Sequence, residues 1–154
     1  MSLKLIAAVA ENRVIAKDDG MPWDLPDEYE HYRRIIDGQT VIMGRRSYEI
    51  FGKDLTSRHA VVVSHSREAL EGAIVCGSLE EAVEKAKSLG REAYVNGGAS
   101  IYKQAIALVD VMNLSIVKGE FEGDAYFPEF EESAWDVVER VDHGGWEFRR
   151  YVRK

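Results

Sequence analysis

A short apolar run passes through one glycine into a helical pattern at Val41-Ile42-Met43-Gly44-Arg45-Arg46-Ser47. The same plan recurs at Val95-Asn96-Gly97-Gly98-Ala99-Ser100. Uninterrupted apolar runs of this kind are typical of strands that are buried on both faces of a parallel sheet. Because a strand that leads directly into a helix is the repeating unit of such sheets, both segments predict an α/β fold.

Alternating strand and helix patterns extend this plan along the chain. Strands are predicted at Leu3–Ala10, Thr40–Met43, Ala60–Ser64, Ala73–Cys76, Ala93–Val95, Val111–Lys118, Val137–Val141 and Trp146–Val152. Helices are predicted at Leu25–Ile36, Arg45–Phe51, Ser78–Leu89 and Ala99–Leu108. In the third helix, Ser78 and Glu81 match a capping box and Gly90 supplies the stop. The last two strands flank Asp142-His143-Gly144-Gly145, which predicts a hairpin turn. We therefore expect a mixed, mostly parallel central sheet with helices on both faces and a C-terminal antiparallel hairpin.

Composition restricts the class of protein. A chain of 154 residues, 45% of them hydrophobic, suits one domain with its own core, so we expect a single domain over residues 1–154. With 20 Lys and Arg against 27 Asp and Glu, the formal charge of −7 has the wrong sign for a non-specific nucleic-acid or anionic-membrane binder. The lone Cys76 and the lack of a membrane-length apolar run favour a cytoplasmic protein. The 4 histidines lack the spacing of a metal site, so we expect none.

Glu28 is a carboxylate on the apolar side of the first predicted helix. At about 100° per residue, one arc of that helix collects Leu25, Tyr29, Tyr32, Ile35 and Ile36, and Glu28 falls inside it. Two interpretations remain open. Either the carboxylate bends toward water in the first turn, where the helix dipole favours it, or it lies at the floor of a pocket with a raised pKa. In a pocket it can bind an amidine-like ligand edge or manage a proton.

The connection Glu11–Asp24 before this helix is long and polar, with Trp23 at its end. It is either a mobile surface segment or a lid over a binding site.

The two glycine-containing helix starts are candidate phosphate sites. Free backbone N–H groups and the positive end of a helix attract anions, and two such starts suit the diphosphate of a dinucleotide. Arg45 and Arg46, together with His65, Ser66 and Arg67 after the third strand, are candidates for a further phosphate such as the 2′-phosphate of NADP. The alternative is that the glycines only shape the turns and the arginines are solvated surface charges. Neither a GxGxxG fingerprint nor a P-loop is present.

Four segments together resemble the signature segments of dihydrofolate reductases, in family order and spacing over essentially the whole chain. They are Met21-Pro22-Trp23-Asp24-Leu25-Pro26-Asp27-Glu28, Val41-Ile42-Met43-Gly44-Arg45, Gly97-Gly98-Ala99-Ser100-Ile101-Tyr102 and Glu122-Gly123-Asp124-Ala125-Tyr126-Phe127-Pro128. The resemblance implies that fold and the NADPH-dependent reduction of 7,8-dihydrofolate to 5,6,7,8-tetrahydrofolate, with hydride transfer to C6 and protonation at N5. Such an activity supports one-carbon and thymidylate metabolism.

The resemblance also implies roles for single residues. Its catalytic positions are Glu28, Trp23, Met21, Ser115 and Tyr102. In the family pattern, the acidic residue binds the 2-amino group and a ring nitrogen of the pterin, and a hydroxyl at Ser115 orients it. Tyr102 lies beside the nicotinamide. The family geometry places the carboxylate too far from N5 to protonate it directly, so we expect a water admitted past Met21 and Trp23 to supply that proton.

The remaining expected contacts fall into two groups. The substrate positions are Ala8, Glu28, Tyr32, Phe51, Leu55, Arg58 and Asn96. The cofactor positions, including the basic candidates above, are Ile15, Gly44, Arg45, Arg46, Ser47, Ser64, His65, Arg67, Gly97, Gly98, Ala99, Ser100, Ile101 and Tyr102. Arg58 matches the arginine that grips the glutamate α-carboxylate, and the Gly97–Gly98 peptide bond is expected to be cis. Asn96 departs from the usual Ile or Val, and its polar side chain is expected to affect either inhibitor affinity or the packing of the nicotinamide.

Two other functions stay open at this stage. One is a reductase of the same fold that acts on a ribosylaminopyrimidine of riboflavin synthesis. The other is a cofactor-binding module without catalysis. With the reductase interpretation, we expect dihydrofolate as substrate, methotrexate as an inhibitor, no nucleic-acid or membrane partner, and a monomer.

Overall fold

The structure is a computed structural model that describes residues 3–154. Its strands are β1 (Leu3–Ala10), β2 (Val14–Ala16), β3 (Thr40–Gly44), β4 (His59–Val63), β5 (Ile74–Cys76), β6 (Ala93–Val95), β7 (Val111–Val117), β8 (Ala125–Tyr126), β9 (Trp135–Asp142) and β10 (Trp146–Arg153). Its helices are α1 (Pro26–Ile36), α2 (Arg45–Phe51), α3 (Leu79–Ser88) and α4 (Ala99–Ala105).

A central sheet holds eight of these strands in the order β5-β4-β3-β6-β1-β7-β10-β9. Every neighbouring pair from β5 to β7 is parallel, whereas β10 runs antiparallel to both β7 and β9. The predicted mixed sheet with a C-terminal hairpin at one edge is therefore confirmed.

Helices cover both faces of this sheet. On one face, α3 and α4 bury Ala82, Ala86, Ile101 and Ala105 against the larger core cluster. On the other face, Ile36 of α1 joins a smaller cluster around β3 and β4. Burial of these apolar faces is the main favourable contribution to the stability of such layers. Among residues 3–154, no helix is both long enough and apolar enough to cross a membrane.

The two glycine turns predicted to bind phosphate are joined to each other. The backbone N–H of Gly44 donates to the carbonyl of Gly97 at 2.8 Å, and the N–H of Asn96 donates to the carbonyl of Ile42 at 2.8 Å. Since β3 and β6 are parallel neighbours, their carboxyl ends open at the same edge of the sheet. Ligands bind at such edges in open α/β sheets.

Three local details differ from the sequence predictions. The connection Glu11–Asp24 contains β2, which pairs antiparallel with β8 in a small second sheet. The fourth helix ends at Ala105 rather than Leu108. At α3, the Ser78 hydroxyl accepts from the N–H of Glu81 at 3.1 Å as predicted. The reciprocal half of the capping box is absent, because the Glu81 carboxylate accepts instead from the N–H of Gly77 at 2.5 Å and from Arg67.

Candidate active site

A cavity of about 130 Å³ opens at the carboxyl ends of the central strands, beside α1. Of the predicted substrate and catalytic residues, it is lined by Ala8, Met21, Glu28, Tyr32, Phe51, Asn96 and Tyr102. Ile6, Ala7, Ile15, Ala16, Tyr29, Met43, Ser47, Gly97 and Gly98 complete the wall. The lining is mainly apolar, so a polar group inside it has little water around it.

Glu28 is that polar group. Its residue is 4% exposed, so the side chain does not bend toward water and the pocket interpretation is correct. Burial raises the pKa of Glu28 to about 7, the hydroxyl of Ser115 opposes the rise by hydrogen-bonding the carboxylate, and the charge of Asp27 adds to it. The structure therefore brings Ser115 of β7 to the carboxylate that the sequence analysis assigned to it.

Two tyrosine hydroxyls are fixed in the same cavity. The Nδ2 of Asn96 donates to the Tyr32 hydroxyl at 2.6 Å, and the Tyr102 hydroxyl donates to the carbonyl of Ile6 at 2.7 Å. Burial raises the pKa of both tyrosines, so each stays a neutral phenol at physiological pH. The sequence patterns gave no sign that Asn96 pairs with Tyr32, because the two residues lie far apart in the chain.

A second, larger groove of about 450 Å³ adjoins the cavity. Ile15, Ala16, Ser47, Phe51 and Gly98 line both spaces, so the cavity and the groove form one continuous cleft. The groove is also lined by the predicted residues Gly44, Arg45, Arg46, His65, Ala99, Ser100 and Ile101.

The Gly97–Gly98 peptide bond is cis, as expected, and lies where the cavity meets the groove. A Cβ on Gly98 would approach the Ser47 hydroxyl to 3.2 Å, and a Cβ on Gly97 would approach the Tyr102 ring to 3.1 Å. Both glycines therefore keep the backbone of this turn open to a ligand.

The basic candidates differ in where they lie. The guanidinium of Arg45 donates to the hydroxyl of Ser64 at 3.3 Å and to the carbonyl of Glu68 at 3.1 Å, at the groove. Arg46 forms an ion pair with Asp19 of the connection before α1. Arg67 points elsewhere: it pairs with Glu81 of α3 at 3.1 Å and does not line the groove.

Besides Ser115, three predicted substrate or catalytic residues lie outside the cavity lining. Trp23 packs against Phe121, with ring centroids 5.4 Å apart, and its indole N–H is buried without a partner among residues 3–154. Leu55 packs on the core cluster that contains Met43. Arg58 is exposed, and its backbone N–H donates to the carbonyl of Gln39 at 2.7 Å.

Several residues of the groove are not predicted from the sequence. Ser78 and Leu79, Gln104, and the acidic pair Asp19 and Asp124 also line it. Ser78 and Leu79 form the start of α3, so the starts of three helices face one groove. The capping signal at Ser78 located that helix start correctly, but it carried no information about which strand ends lie beside it.

Comparisons with known proteins agree with this geometry. A family model described as dihydrofolate reductase matches residues 2–151. Dihydrofolate reductase HdrB of Haloferax volcanii is 37% identical, over 97% of this chain and 82% of that relative. The chain belongs to the dihydrofolate reductase family. The dihydrofolate reductase of Bacillus subtilis (strain 168) is 34% identical, over 88% of this chain and 81% of that relative.

A solved structure of this family is also similar. Dihydrofolate reductase from Enterococcus faecalis, complexed with NADP(H) and RAB-propyl, matches with a TM-score of 0.87 and 29% identity, over 99% of this chain and 96% of that chain. Family membership makes the present chain an NADPH-dependent oxidoreductase.

The groove fits an anionic dinucleotide such as NADPH on its own chemistry. The N-caps of α2 and α4 are Gly44 and Gly98, and no side chain of the described residues 3–154 caps the N–H groups of either first turn. Arg45, Arg46 and His65 add cationic or titratable donors around the same space. These residues are the ones that would hold the phosphates, with the glycines leaving room for them.

Proposed function

We propose that the cleft catalyses the NADPH-dependent reduction of 7,8-dihydrofolate to 5,6,7,8-tetrahydrofolate, with Glu28 as the residue that binds and polarises the pterin. The single observation that carries this proposal is a buried carboxylate, 4% exposed, in a mainly apolar cavity that adjoins a larger groove lined by three helix starts. When bound, NADPH supplies the hydride that C6 of the substrate receives.

The Glu28 carboxylate is suited to bind the amidine-like edge of a pterin. The two oxygens of a carboxylate can accept two parallel N–H bonds, as the 2-amino group and a ring N–H of a pterin offer. Such a bond favours the ionised form, whereas in the ligand-free protein the pKa of Glu28 is raised to about 7, mainly by burial. The ionised group then lies in a dry cavity, where its charge stabilises a pterin that takes up a proton at N5.

Water is our proposed source of that proton. Met21 lines the cavity at the side of the connection that precedes α1, and Trp23 carries a buried indole N–H that has no partner in the described part of the chain. A buried donor of this kind is satisfied by an ordered water. We therefore propose that Met21 and Trp23 control the entry of one water molecule, while Glu28 polarises the ring.

The apolar walls of the cavity orient the pterin ring. Tyr32, Phe51 and Met43 flank the cavity, and the neutral hydroxyls of Tyr32 and Tyr102 are already hydrogen-bonded within the protein. A rigid slot of this kind holds a flat ring in one attitude and excludes bulk water, which supplies part of the rate enhancement. For the groove, we propose that Arg45 contacts the 2′-phosphate that distinguishes NADPH from NADH.

The decisive experiment is a substrate comparison. We expect the absorbance of NADPH to fall when dihydrofolate is added, and methotrexate to inhibit that loss. Turnover with a ribosylaminopyrimidine but not with dihydrofolate would favour the riboflavin-pathway reductase, and NADPH binding without any turnover would favour a non-catalytic module. Either result would contradict the proposed substrate.

We also propose that the chain acts as one domain, as a monomer, and in the cytoplasm. The use of NADPH and the free, buried Cys76 are consistent with a reducing compartment. Sedimentation of the purified protein tests the proposed monomer.

A further inference from the structure

The turn between β9 and β10 contacts the start of α1. The indole N–H of Trp146 donates to the Asp27 carboxylate at 3.0 Å. Gly145 lies so close to Leu25, the residue before α1, that a Cβ on it would approach the Leu25 Cδ2 to 3.3 Å. The turn and the start of β10 therefore contact Leu25 and Asp27, the residues on either side of Pro26, with which α1 begins. Asp27 directly precedes Glu28.

Ring packing extends this contact by one helical turn. The imidazole of His31 lies 5.2 Å from the Trp146 ring and 4.7 Å from the Phe148 ring, centroid to centroid. His31 is on the same helix as Glu28, so β10 packs against the first two turns of α1.

The turn itself is braced on its other side. Asp142 accepts from the Nζ of Lys118 at 2.8 Å and from the N–H of Gly144 at 2.9 Å. The N–H of Lys118 donates to the carbonyl of Gly145 at 3.0 Å. His143 stacks on Trp146 with centroids 4.0 Å apart and ring planes 9° from parallel. These contacts hold Trp146 in place independently of its hydrogen bond to Asp27.

The hydrogen bond to Asp27 also satisfies the buried indole N–H of Trp146. Its residue is 1% exposed, and a buried indole N–H without an acceptor is unfavourable. Asp27 is exposed, so its carboxylate is not required for the core and can be replaced without leaving a cavity.

The same strand is also paired with the strand that carries Ser115. Phe148 of β10 lies opposite Ser115 of β7, and the hydroxyl of Ser115 lowers the pKa of Glu28. The segment Trp146–Phe148 therefore contacts Asp27, at the start of α1, by a hydrogen bond and lies beside Ser115 in the sheet.

We propose that Asp27 and Trp146 are positioning residues for Glu28, and that their hydrogen bond fixes the first turn of α1 so that the carboxylate meets the pterin in register. This inference rests on the proposed function, because it concerns the role of Glu28 in pterin reduction. Asp27 and Trp146 themselves contact neither substrate nor cofactor in this account.

Three variants at exposed positions test the proposal. Asp27→Ala removes the acceptor, Asp27→Asn keeps an acceptor oxygen without the charge, and Glu30→Ala is the matched control. Glu30 is an exposed acid of the same helix that pairs with Arg34 at 3.6 Å and does not contact Trp146. We expect Asp27→Ala to lower kcat/KM for dihydrofolate about tenfold with the KM for NADPH unchanged, and Asp27→Asn to stay within about threefold of wild type. Glu30→Ala is expected to match wild type.

Trp146→Phe provides an independent arm. It should reproduce the loss seen in Asp27→Ala, and the double variant should lose no more than either single variant, because one interaction is removed in each case. Should Trp146→Phe fail to fold, the comparison of Asp27→Ala with Asp27→Asn still decides.

Two results would overturn the proposal. One is an Asp27→Ala enzyme as active as Glu30→Ala. The other is an Asp27→Asn enzyme as impaired as Asp27→Ala, since that would make the charge, and not the hydrogen bond, responsible. A wild-type protein without dihydrofolate-dependent turnover would contradict the proposed function instead, so the two failures are distinguishable.

Discussion

Glu28 places a carboxylate where the fold itself would favour an apolar side chain. It lies in the buried face of α1, and burial raises its pKa to about 7 from an ordinary 4.5. In the ligand-free folded state the charged form of Glu28 is therefore disfavoured. The charge that function needs lowers the stability of the fold at this position.

Glu28→Gln should stabilise the ligand-free protein in a pH-dependent way. Because the folded-state pKa lies above the unfolded one, the carboxylate destabilises the fold fully above about pH 7 and not at all below about pH 4.5. A difference of that size corresponds to about 3 kcal/mol above pH 7. Urea denaturation of wild type and Glu28→Gln between pH 4 and 8 measures the difference in their free energies of unfolding. A difference that does not change with pH would contradict this explanation. Glu30→Gln, at an exposed position, serves as the control.

Arg45 is the residue on which coenzyme preference should depend. Its guanidinium is held at the groove by Ser64 and Glu68, and only NADPH carries a 2′-phosphate for it to bind. We expect Arg45→Ala to raise the KM for NADPH about tenfold or more and to change the KM for NADH less than about twofold. Steady-state kinetics with both coenzymes measure this. Equal effects on the two would refute the 2′-phosphate role, and Arg34→Ala, an exposed arginine of α1, controls for loss of charge.

The secondary-structure elements with strong local signals could be predicted from the sequence. The start of α1 was placed within one residue, and the Ser78 cap of α3 was recognised. Strands β2 and β8, of 3 and 2 residues, are not predicted because neither lies between two predicted helices, the alternation that indicates the equally short β6. They are stabilised by pairing with each other across more than a hundred residues of sequence, a non-local contact that no window of sequence contains.

The same distinction applies to the candidate site. Contiguous motifs predicted the glycine turns, and the helical projection singled out Glu28. Pairings between separate elements were not predictable, as with Asn96 and Tyr32, or Arg46 and Asp19. The role of Arg67 as a cofactor contact stays a prediction: this basic residue follows a strand, and in the structure its guanidinium pairs with the exposed Glu81 on α3.

The small β2–β8 sheet makes a prediction about Gly123. A Cβ at this position would lie 2.3 Å from the Val14 Cγ1 and 2.7 Å from the Ala16 carbonyl oxygen, so Gly123→Ala must displace β2. We expect a loss of about 1 to 3 kcal/mol in the free energy of unfolding, measured by urea denaturation. Gly20→Ala is the matched control, because a Cβ there meets nothing closer than the Lys17 carbonyl oxygen at 4.0 Å. Equal stability of the two variants would contradict the packing argument.

At the scale of the whole molecule, one cleft crosses the middle of the sheet. The central strands β3 and β6 end at it, β1 lines it, α1 supplies the carboxylate, and three helix starts line the groove. The chain carries a net charge of −7, so an anionic coenzyme is attracted by the local donors of the groove and not by the field of the whole protein.

The most direct test of the account is the rate of NADPH oxidation by Glu28→Gln with saturating dihydrofolate, compared with wild type from pH 6 to 8. A neutral amide of the same size keeps the shape of the cavity but cannot stabilise a protonated pterin by charge. We predict a rate at least about 100-fold below wild type at pH 7, with the KM for NADPH unchanged because Glu28 does not line the groove. Turnover equal to that of wild type across this range would contradict the central role of the buried carboxylate.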